Sequence, residues 1–269
     1  MIGKIMTDLF NAMAEKSGHA DASKYGMSGE MKKTQYVLEL IGSPTDADTL
    51  KCIITAAEQG MEMNCYSMIT NAVDGMDNLI KEISPFSITP CLKEGDFVTC
   101  GSDAITSFTD ARGLGYALTP RNASLAAMQN YWVDIAESNV APHVNLMVDE
   151  AITKKIKDSS YLPDTQVINA NNEDLKIFFD ALDQQLSSNK YIVCDKYTWA
   201  DLHWTAYAHL CVVAGYESII DDRKNVKAWF DRIKFRKSQC GQDLIAYDML
   251  PNSGETLKGQ LKDVVIDNY

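Results

Sequence analysis

The chain changes its hydrophobic rhythm about halfway along. From Thr34 to about Gly115, short apolar runs alternate with stretches of helical period. Tyr36–Ile41 reads as a strand of apolar and β-branched residues. Leu50–Gly60 reads as a helix, with Leu50, Ile53, Ile54 and Ala57 on one stripe and Gly60 as its stop. Met61–Met68 predicts a second strand and Asp74–Glu82 a second helix. Thr89–Leu92 and Phe97–Thr99 predict two strands joined by the turn Lys93–Asp96, and Ser102–Ala111 a third helix. The order βαβαββα implies a small mixed sheet with helices on its faces.

From about Leu118 onward the period is helical. Ala123–Val140, Val144–Ile156, Glu173–Leu186, Trp199–Ala214 and Val226–Lys237 predict helices, with only brief strand-like runs near Tyr191. Pro142 is expected to kink or break the rod between the first two. Leu175, Phe178, Phe179, Leu182 and Leu186 form one apolar stripe, and Val226, Trp229 and Ile233 another. Both are expected in the core. Thr198 with Asp201 fits a capping box that opens the fourth of these helices. At the N-terminus, Ile2, Ile5, Met6, Leu9, Phe10 and Met13 recur near helical spacing. They predict a short amphipathic helix packing on the body or on a partner, rather than a signal peptide.

Composition narrows the function classes. The 269 residues are 46% hydrophobic and 23% charged, ordinary for a globular chain. The net charge of −12 argues against nucleic acid or an anionic membrane as a partner. No apolar run approaches the roughly 20 residues that span a bilayer. The cysteines, at 52, 65, 91, 100, 194, 211 and 240, are odd in number and widely spaced. They predict reduced thiols in a cytoplasmic protein rather than a disulfide framework. With four scattered histidines and no CxxC, no metal is expected.

Four passages carry a resemblance over roughly residues 35–240. They are Ile83-Ser-Pro-Phe-Ser-Ile-Thr-Pro-Cys-Leu92, Glu94-Gly-Asp-Phe-Val-Thr-Cys-Gly-Ser-Asp-Ala-Ile105, Tyr197-Thr-Trp-Ala-Asp201 and Asn225-Val-Lys-Ala-Trp-Phe-Asp-Arg-Ile-Lys-Phe-Arg236. In that order and at those separations, the chain resembles the cytosolic glutathione S-transferase superfamily. The resemblance implies an N-terminal extension (1–33), a thioredoxin-like α/β glutathione-binding domain (34–115), an all-α helical-bundle domain (118–240) and a C-terminal tail (241–269). It implies that Thr89-Pro90 is a cis pair whose Thr89 backbone holds the cysteinyl part of glutathione. It also implies that Ser102, at a helix start, holds the γ-glutamyl carboxylate, with Asp103 near the amine. From the residues alone, Ser102 is equally a helix cap. The partners implied are glutathione as co-substrate, a small electrophile and a second copy of the chain, with transferase chemistry as the activity.

The pattern departs from the family where the chemistry belongs. Transferases place a Tyr, Ser or Cys after the first strand to favour the glutathione thiolate; here that loop reads Gly42-Ser-Pro-Thr-Asp-Ala-Asp-Thr-Leu-Lys51. Counting back from Gly60, the usual Ser or Cys position falls on Asp46, and another on Asp48. A carboxylate beside the sulfur would raise the thiol pKa. Three readings stay open. Ser43, Thr45 or Thr49 supplies the hydroxyl; Asp46 or Asp48 acts as a general base; or the fold has lost transferase activity and serves as a non-catalytic binding or scaffold protein. Both aspartates equally suit the positive end of a helix. Gly101 stands where the family has Glu or Gln. The electrophile pocket is expected between the two halves, lined by Met128, Tyr131, Trp132 and His143 and by the tail around Tyr247–Leu250.

Overall fold

The computed structural model describes residues 9, 12–13, 38–43, 45–68, 75–234 and 236. The order in the first half is β1 (Leu38–Gly42), α1 (Ala47–Glu58), β2 (Met63–Ser67), α2 (Met76–Ile83), β3 (Cys91–Glu94), β4 (Phe97–Cys100) and α3 (Ser102–Arg112). This is the βαβαββα order the periodicity predicts. The sheet runs β2-β1-β3-β4, with β1 parallel to β2 and the other neighbours antiparallel.

Alternation along β1 sends its side chains to two cores. Leu38 and Leu40 join Leu92, Cys52, Ile53, Ala56 and Ile105 under α1 and α3. Ile41 joins Cys91, Tyr66, Met76, Ile80 and Ile83 on the α2 side. Leu9 and Met13 are helical and fully buried in that second core. Ile2, Ile5, Met6 and Phe10 of the predicted stripe lie outside the described residues.

The single stripe expected on α1 divides. Ile53 packs on the sheet, whereas Ala47, Leu50 and Ile54 belong to the core of the helical half. The helix is buried almost all round because it is sandwiched between the two. Its N-terminus therefore opens at the junction.

The second half contains α4 (Ala123–Ile135), α5 (Ala141–Val148), α6 (Lys154–Lys157), α7 (Thr165–Leu186), α8 (Trp199–Val213), α9 (Ser218–Asp221) and α10 (Lys224–Lys234). Pro142 does not break the rod. Helical backbone continues from α4 into α5 through a wider π-turn at Ala136–Val140, where the Ala141 N–H bonds back to Ala136 O. Pro142 then sits in the first turn of α5, where its missing N–H costs little. A second π-turn, Asp149–Thr153, joins α5 to α6. α7 begins earlier than its apolar stripe, at Thr165, because Asp164 caps it by accepting from Gln166 N and Val167 N. The runs near Tyr191 form bends rather than a strand.

Trp204 centres this core, edge-on to Trp132 at 5.7 Å and to Phe179 at 5.6 Å between ring centroids. The capping box at Thr198 is present. Asp201 accepts from Thr198 N, Ile192 N and Trp229 Nε1, each at 2.9 Å. Burial nonetheless raises its carboxyl to a pKa of about 6. The box thus ties α8, α10 and the loop before α8 into one unit. Beyond it, Arg236 returns to the first half. Its Nε lies 2.7 Å and its terminal nitrogen 2.6 Å from the two Glu58 carboxylate oxygens. The tail, 241–269, and with it the lining expected around Tyr247–Leu250, lies outside the described residues.

Candidate functional site

Strand register brings three distant segments to one end of the sheet. Ile41 is paired with Cys91, and Cys91 with Cys100. Gly101 N donates to Pro90 O at 2.8 Å, so the β3/β4 pairing extends one residue beyond the strands. Ser43, Thr89 and Ser102, the residues just beyond these pairs, therefore stand in a row at that end of the sheet.

The middle of the row is a backbone site. The Thr89–Pro90 peptide is cis, as the resemblance implies. Among the described residues, neither the N–H nor the C=O of Thr89 has a hydrogen-bond partner. At one end of the row stands the N-terminus of α3. Its cap is Gly101, with no side-chain bond, and Ser102 is the first helical residue. Ser102 therefore does not cap its helix. Among the described residues no bond engages its hydroxyl, and the first-turn N–H groups form the positive end of the helix, where an anion is favoured. Asp103 is exposed beside it. Gly101 has φ +90°, and a Cβ there would sit 3.2 Å from Ile88 Cγ2. Only glycine takes that backbone readily, which gives the departure at Gly101 a structural reason.

At the other end, the β1–α1 loop is held by its own polar groups. Asp46 is the N-cap of α1, accepting from Asp48 N at 3.3 Å and Thr49 N at 3.1 Å. Thr49 Oγ1 donates to the same carboxylate at 3.0 Å and accepts from Ser43 N at 3.0 Å. A Cβ on Gly42 would come within 2.4 Å of that hydroxyl, so the strand can end here only with glycine. Thr49 is fully buried and its hydroxyl is committed to the loop. It cannot also serve a ligand, which removes one of the three hydroxyls expected from the sequence.

Ser43 and Thr45 differ. Both are half-buried, and their hydroxyls lie 2.9 Å apart. Two hydroxyls in mutual contact use one proton between them and leave the other to donate outward. Asp46 is pushed above the ordinary carboxylate range by burial and then by the Asp48 charge, with its hydrogen bonds opposing.

Beside this loop a cleft of about 280 Å³ opens between the halves. Asp46, Ala47 and Asp48 form one wall; Glu137, Ala141, Pro142, Asn145 and Tyr207 form the other. Met128, Tyr131, Trp132 and His143 do not line it. Trp132 is core, Met128 and Tyr131 face outward, and His143 bonds Asn171 Oδ1 at 2.8 Å. Met128, Tyr131 and Trp132 lie on the helix before the π-turn, and only His143 follows it.

Sequence reasoning missed the polar cluster behind the cleft. Lys51 is buried on α1, 2.6 Å from Asp48 and 2.9 Å from Glu137. Glu137 also receives Tyr207 Oη at 2.8 Å and meets His203 Nδ1 at 2.5 Å. Burial alone would raise the Glu137 carboxyl. The His203 hydrogen bond and the Lys51 and His203 charges outweigh it and hold the group at about 2. Lys51 keeps its proton because Asp48 and Glu137 offset its own burial. The sequence signal was a lysine one residue from an apolar stripe, which ordinarily reads as solvent-facing.

A sequence model for the glutathione S-transferase C-terminal domain matches residues 144–236. Glutathione S-transferase F13 of Arabidopsis thaliana is 25% identical over 197 residues, covering 72% of this chain and 89% of that protein. The crystal structure of glutathione transferase F7 from Populus trichocarpa superposes with a TM-score of 0.66 at 27% identity, over 80% of this chain and all of that one. Maize glutathione S-transferase I, solved with an atrazine glutathione conjugate, superposes at 0.68 with 21% identity, over 81% of this chain and 100% of that chain. These likenesses span both halves of the chain, and with the sheet order and the cis-proline turn they support a relationship to the glutathione S-transferase superfamily.

Proposed function

We propose that the protein is a glutathione transferase that joins the thiol of glutathione to a small electrophile. The observation that carries this is the row Ser43, Thr89–Pro90, Ser102 at one end of the sheet, beside the cleft between the halves. The Thr89 N–H and C=O take the cysteinyl backbone like an added strand. Ser102 and the α3 N-terminus take the γ-glutamyl carboxylate, with Asp103 near the amine. That orientation sends the sulfur toward the β1–α1 loop. There the Ser43–Thr45 hydroxyl pair donates to it and stabilises the thiolate, as an oxyanion hole stabilises developing charge. Asp46 holds the loop that aims this pair. The electrophile occupies the cleft, and the remaining rate gain comes from bringing both reactants together.

The relatives, glutathione S-transferases by name, support glutathione as co-substrate, and the maize structure holds a glutathione conjugate. The assembly we propose is a homodimer with the α/β half of one subunit against the helical half of the other. Phe86 is 85% exposed and Ile88 46%, apolar area a dimer would cover. The free state of the described cysteines fits a cytoplasmic protein. Retention on immobilised glutathione together with turnover of a generic aryl halide tests the activity. Retention without turnover would make the protein a glutathione-binding module instead.

A further inference from the structure

Cys91 opens β3, Cys100 closes β4, and the two face each other in the ladder. Pro90 and Gly101, one step outward, form a hydrogen-bonded pair through Gly101 N. Hydrogen-bonded and non-hydrogen-bonded pairs alternate in an antiparallel ladder, so Cys91/Cys100 is a non-hydrogen-bonded pair. Cα atoms in such a pair are about 4.5 Å apart, inside the range a disulfide bridges. The two sulfurs lie on one face of the hairpin, 2.9 Å apart, and share a hydrogen bond. Both are free thiols.

Their surroundings are unequal. Cys91 is fully buried, and Cys100 is partly open to solvent. The hydrogen bond to Cys100 and burial push the Cys91 thiol up, whereas the same bond lowers Cys100. The accessible member is therefore the readier of the two to ionise, and the buried member the readier to hold its proton. That division suits an attacking thiol with a resolving partner. Cys52, Cys65 and Cys211 are pushed up by burial, and none of them shares a hydrogen bond with another cysteine among the described residues.

We propose that Cys91 and Cys100 are a redox-active dithiol that hydrogen peroxide oxidises to a cross-strand disulfide. The Cys100 thiolate attacks one peroxide oxygen; an S–O bond forms, the O–O bond breaks, and the departing hydroxide takes a proton to leave as water. Cys100 is then a sulfenic acid. The Cys91 sulfur attacks the Cys100 sulfur; the S–S bond forms, the S–O bond breaks, and the Cys91 proton leaves with the hydroxyl as a second water. Two thiols and one peroxide become one disulfide and two waters, the two electrons passing from sulfur to oxygen. The ladder already supplies the required Cα spacing, so closure needs no change of register. The assignment stands apart from the glutathione reading, because it uses only the hairpin and the two thiols.

The test is peptide mapping of the whole native chain after about one equivalent of hydrogen peroxide and alkylation of the remaining thiols. Trypsin cuts after Lys93, so the two cysteines fall in separate peptides that only a disulfide joins. The expected result is a linked Cys91–Cys100 pair two hydrogens lighter than its parts, loss of two titratable thiols, and reversal by dithiothreitol. Cys100→Ser should abolish the link and Cys194→Ser should preserve it. Over-oxidation of Cys100 to sulfinic acid without a link, or disulfides spread evenly over other cysteines, would overturn the proposal. The unsubstituted chain alone distinguishes these outcomes, so the test survives a variant that fails to fold.

Discussion

At the scale of single residues, the chemistry turns on the loop after Gly42. Ser43 and Thr45 share one hydrogen bond, so either hydroxyl can relay a proton through the other. Losing one is therefore expected to be milder than losing both. Ser43→Ala or Thr45→Ala should lower kcat/KM by about 10-fold, because the remaining hydroxyl still donates, and the double variant by about 100-fold or more, the range for removing a donor to a developing anion. The absorbance of bound thiolate against pH should show the glutathione pKa rising in step. Asp46 makes a separable prediction. As an N-cap its replacement by Ala should cost about 1 kcal/mol in urea unfolding, whereas Asn caps equally well and should cost little. Asp46→Asn also removes a negative charge near the sulfur, so it should speed the reaction a few-fold. A slower Asp46→Asn enzyme with unchanged stability would instead make the carboxylate a general base.

At the scale of elements, α1 joins the two halves, and its buried face is not wholly apolar. Lys51 reaches Glu137 in the π-turn, and Glu137 in turn holds His203 and Tyr207 of α8. Lys51→Met would leave Glu137 with its His203 and Tyr207 contacts but without its ammonium partner. The expected cost is about 3 kcal/mol, the lower end for breaking a buried pair because Glu137 is partly exposed. The Glu137 carboxyl is held at about 2, below the 4.5 expected of a free glutamate. As pH falls, the unfolded chain takes up that proton first, so this contribution is whole above about 4.5 and drains away between 4.5 and 2. Urea unfolding across that window should show a shallower loss of stability in Glu137→Gln than in the parent chain.

The elements themselves were legible from period and punctuation: each predicted strand and helix from Tyr36 to Ala111 overlaps an observed one. Pro142 misled because a proline predicts a break only when the turn before it is an ordinary α-turn. The cleft wall was hidden in part for the same reason, since Glu137 lies in the π-turn and Ala141, Pro142 and Asn145 follow it. The role of Lys51 was hidden because its second partner, Glu137, is 86 residues away. The cis-proline turn and the start of α3 were readable through local motif, whereas the commitment of Thr49 to the loop depends on the close approach at Gly42.

At the scale of the whole molecule, two halves meet along α1 and are tied again by the Arg236–Glu58 pair, while Phe86 stands out into solvent. If Phe86 is a dimer contact, Phe86→Asp should shift the sedimentation coefficient from dimer to monomer with little change in the thermal midpoint of each subunit. A monomeric parent chain would refute the proposed assembly without touching the site. The site is tested most directly by a crystal structure of the chain soaked with glutathione. The expected result is the tripeptide paired to the Thr89 backbone, its γ-glutamyl carboxylate on Ser102, and its sulfur within about 3.5 Å of the Ser43 or Thr45 hydroxyl. Glutathione bound elsewhere, or a sulfur that meets only Asp46 and Asp48, would contradict it.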